Sequence, residues 1–403
     1  MSRQPLALSD WLIRRKGKMD FKLSEELQAI RETARDFAEK EIAPFADKWD
    51  SEHYFPREVI KKMADLGFYG TIIPEEYGGN GMGFLAGTII TEEIARASAS
   101  LRVTFNMQTF GPAFSILRYG TEEQKKKYIP HLVSTEQISC FGITEPNAGS
   151  DVMSLKTTAI PKGDYFLING AKTWISNAQV ADLCILYAYH DPAAKSKGLS
   201  TFLLDMHLPG ITTRPLDKLG LHSAPTGEII LEDVKLPKDA LLGSLGDGVK
   251  HVFGSLNQTR LSCAAGGLGI AQACLDASVK YCNERVQFGQ QIGQFQMNQD
   301  MIAIMATELE AARFLVYRAA VQKDEGSLNN VLETSMAKYF AGEVAGKAAD
   351  FAMRILSAYG YSTEYPVARY YRDAKSIAIV EGTANIQKTI IALDQLGFRK
   401  ANR

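Results

Sequence analysis

Twice along this chain the hydrophobic period changes, and that constrains the fold more than any single motif. From Leu23 to about Ser134 apolar residues return at helical spacing. Leu27, Ile30, Ala34, Phe37 and Ala38 make one stripe, opened by Ser24 with Glu25 and Glu26. Pro56 suits the first turn of a second helix. Glu75–Gly81 reads as a loop through its glycines, and helical patterns return around Gly83–Ser98 and Thr121–Val133. Between about Gln137 and Leu242 the pattern shortens to β-type runs: Ile138–Thr144, Tyr165–Ile168, Leu183–Tyr189, Thr201–Leu204 and Gly227–Leu231. Turn signals such as Lys162–Gly163–Asp164 and Asn169–Gly170 separate them. From about Gly248 the chain is helical again, over Val249–Arg285, Gln294–Asp324, Asn330–Ala358 and Ala384–Leu396. Short strands gathered in one block suggest a small barrel or sandwich rather than alternating βα units. The expected class is α+β, with an N-terminal α-helical domain (19–134), a middle β-barrel domain (135–247) and a C-terminal four-helix bundle (248–396). The 403 residues suffice for two or three domains and a large core.

Composition narrows the function. A net charge of −1 suggests neither a nucleic-acid-binding surface nor an acidic tail. The cysteines, Cys140, Cys184, Cys263, Cys274 and Cys282, show no metal-ligand spacing and read as reduced thiols. The histidines form no HxxH or HExxH set, so a catalytic metal is not expected. No apolar run approaches the ~20 residues that span a bilayer. Met1–Lys18 carries Arg14, Arg15, Lys16 and Lys18 without a long apolar stretch. It reads either as a short targeting arm or as a leader before a second methionine, Met19. A cytoplasmic enzyme is expected.

The candidate chemistry centres on Ile379–Val380–Glu381–Gly382–Thr383–Ala384–Asn385. Glu381 has an apolar wall on one side and no side chain on the other. That setting desolvates a carboxylate, raises its pKa and makes it a usable base; the plainer reading is a surface or capping glutamate. Three distant segments accompany it: Phe141–Gly142–Ile143–Thr144–Glu145–Pro146–Asn147–Ala148–Gly149–Ser150–Asp151, Thr173–Trp174–Ile175–Ser176–Asn177 and Arg285–Val286–Gln287–Phe288–Gly289. Two glycine clusters, Gly78–Gly83 and Gly266–Gly269, neither follow a strand nor open a helix, which disfavours nicotinamide binding by a glycine-rich fingerprint.

In order and spacing these four segments resemble the acyl-CoA dehydrogenase family of flavoenzymes, over essentially the whole chain after Met19. The resemblance implies FAD as cofactor, an acyl-CoA thioester as substrate and Glu381 as the base for the α-proton. Removing the β-hydrogen as hydride needs an acceptor that no side chain supplies. By resemblance the flavin is cupped by Phe141, Ile143, Thr144, Trp174, Ile175 and Ser176. Trp174 stacks on the ring, Thr144 and Ser176 lie near it, and Gly149 and Ser150 sit near the phosphates or the acyl-CoA. Thr383 and Asn385 join the cofactor set, and Val380, Gly382 and Ser150 the substrate set. Arg285 and Phe288, with Gln296, match residues that reach the adenine half of FAD in a neighbouring subunit. At least a dimer follows, and the family is usually a homotetramer. Its usual electron acceptor is electron-transferring flavoprotein. The CoA tail is expected along Phe253, Asn257 and Arg260, which share one helical face. One departure is Leu356–Ser357–Ala358–Tyr359–Gly360, where the family commonly has a Gly-Gly pair.

Within the family the nearest likeness is to glutaryl-CoA dehydrogenases of anaerobic bacteria. Arg102 matches their arginine for the distal carboxylate of the substrate; the alternative is that Arg102 pairs with Glu92 or Glu93. Decarboxylating members tend to carry Tyr before the base, and here it is Val380. That points to glutaconyl-CoA rather than crotonyl-CoA as product. The rivals are an alicyclic acyl-CoA dehydrogenase and a non-catalytic FAD- or CoA-binding protein. Some alicyclic enzymes use an Asp of the N-terminal domain as base, and no Asp lies between Asp65 and Asp151 here.

Overall fold

A computed structural model describes residues 22–402; the basic N-terminal segment and Met19 lie outside the described residues. Ser24 caps the first helix, its hydroxyl accepting from the Leu27 amide at 3.3 Å. Helix α1 (Glu25–Phe37) turns Ala34 and Phe37 inward. It is followed by α2 (Ala46–Glu52) and by α3 (Arg57–Asp65), which Pro56 precedes as the cap residue. Helix α4 (Phe84–Ala97) is buried almost all round, including Glu92 and Glu93. Helix α5 (103–119) is regular at both ends and widens over Asn106–Ala113 into π-helix. Pro112 lies in that stretch and has no amide to donate, so the wider turn costs less there. Helix α6 (Glu122–Val133) starts on a capping box made by Thr121 and Gln124.

The middle of the chain forms eight strands: β1 (Ser139–Gly142), β2 (Thr158–Lys162), β3 (Tyr165–Ser176), β4 (Leu183–Tyr189), β5 (Leu199–Asp205), β6 (Ile211–Pro215), β7 (Thr226–Pro237) and β8 (Leu241–Leu242). Their ladder runs β6-β7-β3-β2-β4-β5-β8, with β1 parallel to β4. The sheet curls around its own core: Phe166 of β3 meets Phe202 of β5 edge to face at 5.0 Å although β2 and β4 lie between them in the ladder. Cys140, Cys184, Ile229 and Leu231 fill the same core. Asn169–Gly170 is not a turn. It lies inside β3 at a register shift, with Gly170 at φ 152° and so close to Thr157 that a Cβ would sit 2.4 Å from Oγ1. Strands β2, β6 and β8 escape the alternation rule because they are short and mostly exposed or half-buried.

The last third is helical: α7 (Gly248–Glu284), α8 (Gln296–Asp324), α9 (Val331–Leu356), α10 (Val367–Ile379) and α11 (Ala384–Gln395). A small hairpin, β9 (Val286–Gln287) with β10 (Gln290–Gln291), links α7 to α8. Helix α7 is the axis, packed on α4, α8, α9 and α10, while α11 lies along α9. The expected four-helix bundle therefore has α10 as a member and α11 added outside it. Helix α10 was not expected because its inward face includes Arg369 and Asp373, which break the apolar period. Arg369 Nε donates to Asp47 at 2.7 Å and Asp373 accepts from the Leu221 amide at 2.6 Å, so α10 is tied to both other units. The Gly266–Gly269 cluster serves packing. A Cβ on Gly269 would meet the Glu92 carbonyl at 2.3 Å, and one on Gly266 would meet Arg102 Cδ at 2.8 Å. All five cysteines are free and buried.

Candidate active site

Glu381 sits on the link Val380–Thr383 between α10 and α11, where it and Gly382 both take left-handed backbone, at φ 57° and 84°. For a non-glycine residue that conformation is costly and persists only where its surroundings impose it. Here they do. Arg260 Nε donates to the Glu381 carbonyl at 3.0 Å, Lys338 Nζ to the Gly382 carbonyl at 2.8 Å, and Gln387 Nε2 to the Gly382 carbonyl at 3.0 Å. The carboxylate itself is held by two donors: Thr259 Oγ1 reaches Oε2 at 2.5 Å and Asn106 Nδ2 reaches Oε1 at 3.2 Å. This corrects the expected environment. Val380 packs against the core as supposed, but the acid group is met by an amide and a hydroxyl rather than by an apolar wall. Neither Asn106 nor Thr259 was singled out from the sequence. The nearest signal was the face through Asn257 and Arg260 on the same helix.

Arg102 stands at the start of α5, 2% exposed. Its Nε has no hydrogen-bond partner, and no ion pair involves its guanidinium among the described residues. The pairing with Glu92 or Glu93 does not form, because both acids are engaged elsewhere. Glu92 accepts from Arg313 Nε at 2.9 Å and from the Tyr317 hydroxyl at 2.7 Å; Glu93 is gripped by Arg35 at 2.9 and 3.0 Å. A buried guanidinium without a counter-charge is costly unless something else supplies one.

The remaining candidates fall into three groups. At the mouth of the β unit, Trp174 is 58% exposed at φ 59°, on a bulge between Lys172 and Ile175 that turns the indole outward. Ile175 is buried, while Thr144 and Ser176 are half-buried. The Thr173 amide donates to the Thr144 carbonyl at 2.9 Å, which joins the two segments. Phe141 packs on Tyr187 with ring centroids 5.4 Å apart, and Ile143 is buried. Gly149 and Ser150 are exposed, and a Cβ on Gly149 would meet nothing within 4 Å. The loop is pinned from beneath by Glu145, which pairs with buried Lys172 at 2.7 Å. Burial opposes the Glu145 charge, but Lys172 and the Thr157 and Lys156 donors outweigh it and hold its carboxyl below the usual range. An outward indole at a strained position, between two hydroxyls and an open glycine loop, fits a planar heteroaromatic ring with a phosphate tail.

A second group lies on and beside the β9–β10 hairpin. Phe288, at φ 52° and 94% exposed, projects from the β9–β10 hairpin with exposed Arg285. The Arg285 guanidinium lies 5.7 Å from the Tyr359 ring centroid, so the structure brings it beside the Leu356–Gly360 segment. There Ser357 takes φ 55°, a backbone that glycine adopts freely. Gln296, at the start of α8, is exposed. The third group lies on α7 and at the start of α11, and only Arg260 of it bonds to Glu381. Phe253 is exposed; Asn257 is buried and donates to the Leu328 carbonyl at 2.9 Å; Arg260 is buried against Glu381. The three share α7 but not one environment. The Thr383 hydroxyl caps α11 by accepting from the Ile386 amide at 3.3 Å, and Asn385 is exposed on its first turn.

Comparison with known proteins agrees with this architecture. Three family models match in order: acyl-CoA dehydrogenase N-terminal domain over residues 24–136, middle domain over 140–234 and C-terminal domain over 246–395. A glutaryl-CoA dehydrogenase from Desulfococcus multivorans is 62% identical over 96% of this chain and 100% of its own. A 3-(aryl)acrylate reductase from Clostridium sporogenes is 43% identical over 93% of this chain and 99% of its own. Among solved structures, a glutaryl-coenzyme A dehydrogenase in complex with glutaryl-CoA superposes with a TM-score of 0.95 at 62% identity, covering 96% of this chain and 98% of that one. The fold and site define an oxidoreductase that acts on acyl-CoA thioesters. The chain belongs to the acyl-CoA dehydrogenase family, whose members depend on FAD. No helix among the described residues is long and apolar enough to cross a membrane.

Proposed function

We propose that this chain oxidises glutaryl-CoA to glutaconyl-CoA and leaves the distal carboxylate in place. The observation that carries this reading is Arg102, a buried cation with no ion pair among the described residues, Glu92 and Glu93 being committed to other arginines. A substrate carboxylate supplies the missing counter-charge, and the planar guanidinium accepts it two-pronged. A ring substrate without a carboxylate would leave Arg102 unpaired, which disfavours the alicyclic alternative. The relatives named glutaryl-CoA dehydrogenase support the same substrate, and Val380 before the base supports retention of the carboxylate.

Glu381 would take the α-proton of the thioester. The hydrogen bonds from Asn106 and Thr259 orient the carboxylate and leave lone pairs for that proton. FAD, when bound, supplies the acceptor for the β-hydrogen. Trp174 would stack on the flavin ring, Thr144 and Ser176 would meet its edge, and Gly149 and Ser150 would lie near the phosphates. Arg285, Phe288 and Gln296 would reach the adenine half of FAD held by a second subunit, in a homotetramer. Electron-transferring flavoprotein is the proposed acceptor and the cytoplasm the proposed location.

The test is selectivity. A hydrogen bond to a charged group contributes roughly 1.5–3 kcal/mol, so Arg102→Met should cut kcat/KM for glutaryl-CoA by ~10- to 150-fold or more. Butyryl-CoA, which has no carboxylate, should be turned over equally or better. Parallel losses on both substrates would make Arg102 a packing residue and remove the main support for the substrate.

A further inference from the structure

Lys338 of α9 is fully buried, yet it forms no ion pair among the described residues and spends its ammonium on one backbone oxygen, that of Gly382. A buried ammonium with a single carbonyl partner is a poor bargain for stability alone. The charged and titratable groups facing it are Cys263 and Arg260 from α7, Arg102 from α5, and Glu381. Two of these are cations and one is a thiol that burial keeps protonated. Glu381 is thus the carboxylate that answers the Lys338 charge. Burial pushes the ammonium below its ordinary range, Cys263 and Glu381 oppose that push, and Arg260 and Arg102 add to it.

The carbonyl Lys338 holds is not an ordinary one. Gly382 follows Glu381 in the left-handed pair that aims the carboxylate, and a Cβ on Gly382 would lie 2.8 Å from Gln387 Nε2 and 3.3 Å from Arg260 Nη2. Arg260 and Gln387 therefore box in one side of the turn, and Lys338 supplies a further donor to the same short stretch of backbone.

We propose that Lys338 is a positioning residue for Glu381: it fixes the Glu381–Gly382 turn, and with it the aim of the carboxylate, through the Gly382 carbonyl. This rests on Glu381 being the base, so the experiment separates the two claims. Holoenzyme is mixed in D2O with 3-thiaglutaryl-CoA, whose β-sulfur prevents hydride loss, and deuterium entering the α-carbon is read by mass. Glu381→Gln should abolish exchange. Lys338→Met should bind the analogue within a few-fold of wild type but exchange ~10- to 100-fold more slowly, as small misplacements of a reacting group do. Lys338→Gln, which keeps a donor for the Gly382 carbonyl, should recover part of the lost rate, and it carries the test if the Met variant fails to retain FAD. Wild-type exchange in the Lys338 variants would overturn the proposal, as would a loss confined to affinity. Undiminished exchange in Glu381→Gln would instead overturn the base.

Discussion

At Gly111 a single added methyl group would lie 2.6 Å from the Asn106 carbonyl and 3.3 Å from the Thr259 methyl. These are the residues that hold the Glu381 carboxylate. In an ordinary helix interior Gly→Ala stabilises by roughly 0.5–1 kcal/mol. Here the obstructing atom is backbone inside the π turn, so the sign reverses, and overpacking of this kind costs about 1–3 kcal/mol. Gly111→Ala should lower the denaturation midpoint and slow flavin reduction together; an unchanged midpoint with a wild-type rate would show that α5 adapts. The same scale shows what was readable in advance. Glu381 and Arg102 stand out as charges in apolar surroundings. Asn106 and Thr259 do not, because they lie 275 and 122 positions from Glu381 and only the packed helices bring them together. That Glu92 and Glu93 are engaged by Arg313 and Arg35 was equally invisible, since those partners come from α8 and α1.

Among the elements, the β9–β10 hairpin carries the proposal that reaches beyond a single chain. It displays Phe288 with nearly its whole ring in solvent and Arg285 beside Tyr359. If these residues complete a neighbour's FAD site, flavin retention is linked to assembly by mass action. Dilution should then release FAD and dissociate subunits over the same concentration range, and Arg285→Ala should move both to higher concentration. A diluted monomer that stays fully yellow would contradict the shared site. Helix α10 teaches the complementary lesson. Its inward Arg369 and Asp373 erase the apolar stripe on which sequence periodicity depends, yet those same charges anchor it. Strands β2, β6 and β8 were lost for a different reason: with few buried positions, they give no alternation to detect.

In the whole molecule, the two changes of hydrophobic period correspond to the passage from helices to strands after Val133 and back to helices at Gly248. The chain order of the units was therefore readable, but not the way they converge. Helix α10 makes that convergence physical, with Asp47 of α2 and Leu221 of the middle unit both bonded to it, and it delivers the chain directly into Val380 and Glu381. Arg102 and Asn106 come to the same place from α5, and Arg260 and Lys338 from α7 and α9. We propose that this convergence oxidises a carboxylate-bearing thioester and stops there. The most direct measurement is the mass of the CoA product formed by the wild-type holoenzyme from glutaryl-CoA with an electron acceptor present. Glutaconyl-CoA is expected, with every carbon of the substrate retained and two hydrogens lost. Crotonyl-CoA with released CO₂, or no turnover of glutaryl-CoA at all, would contradict it.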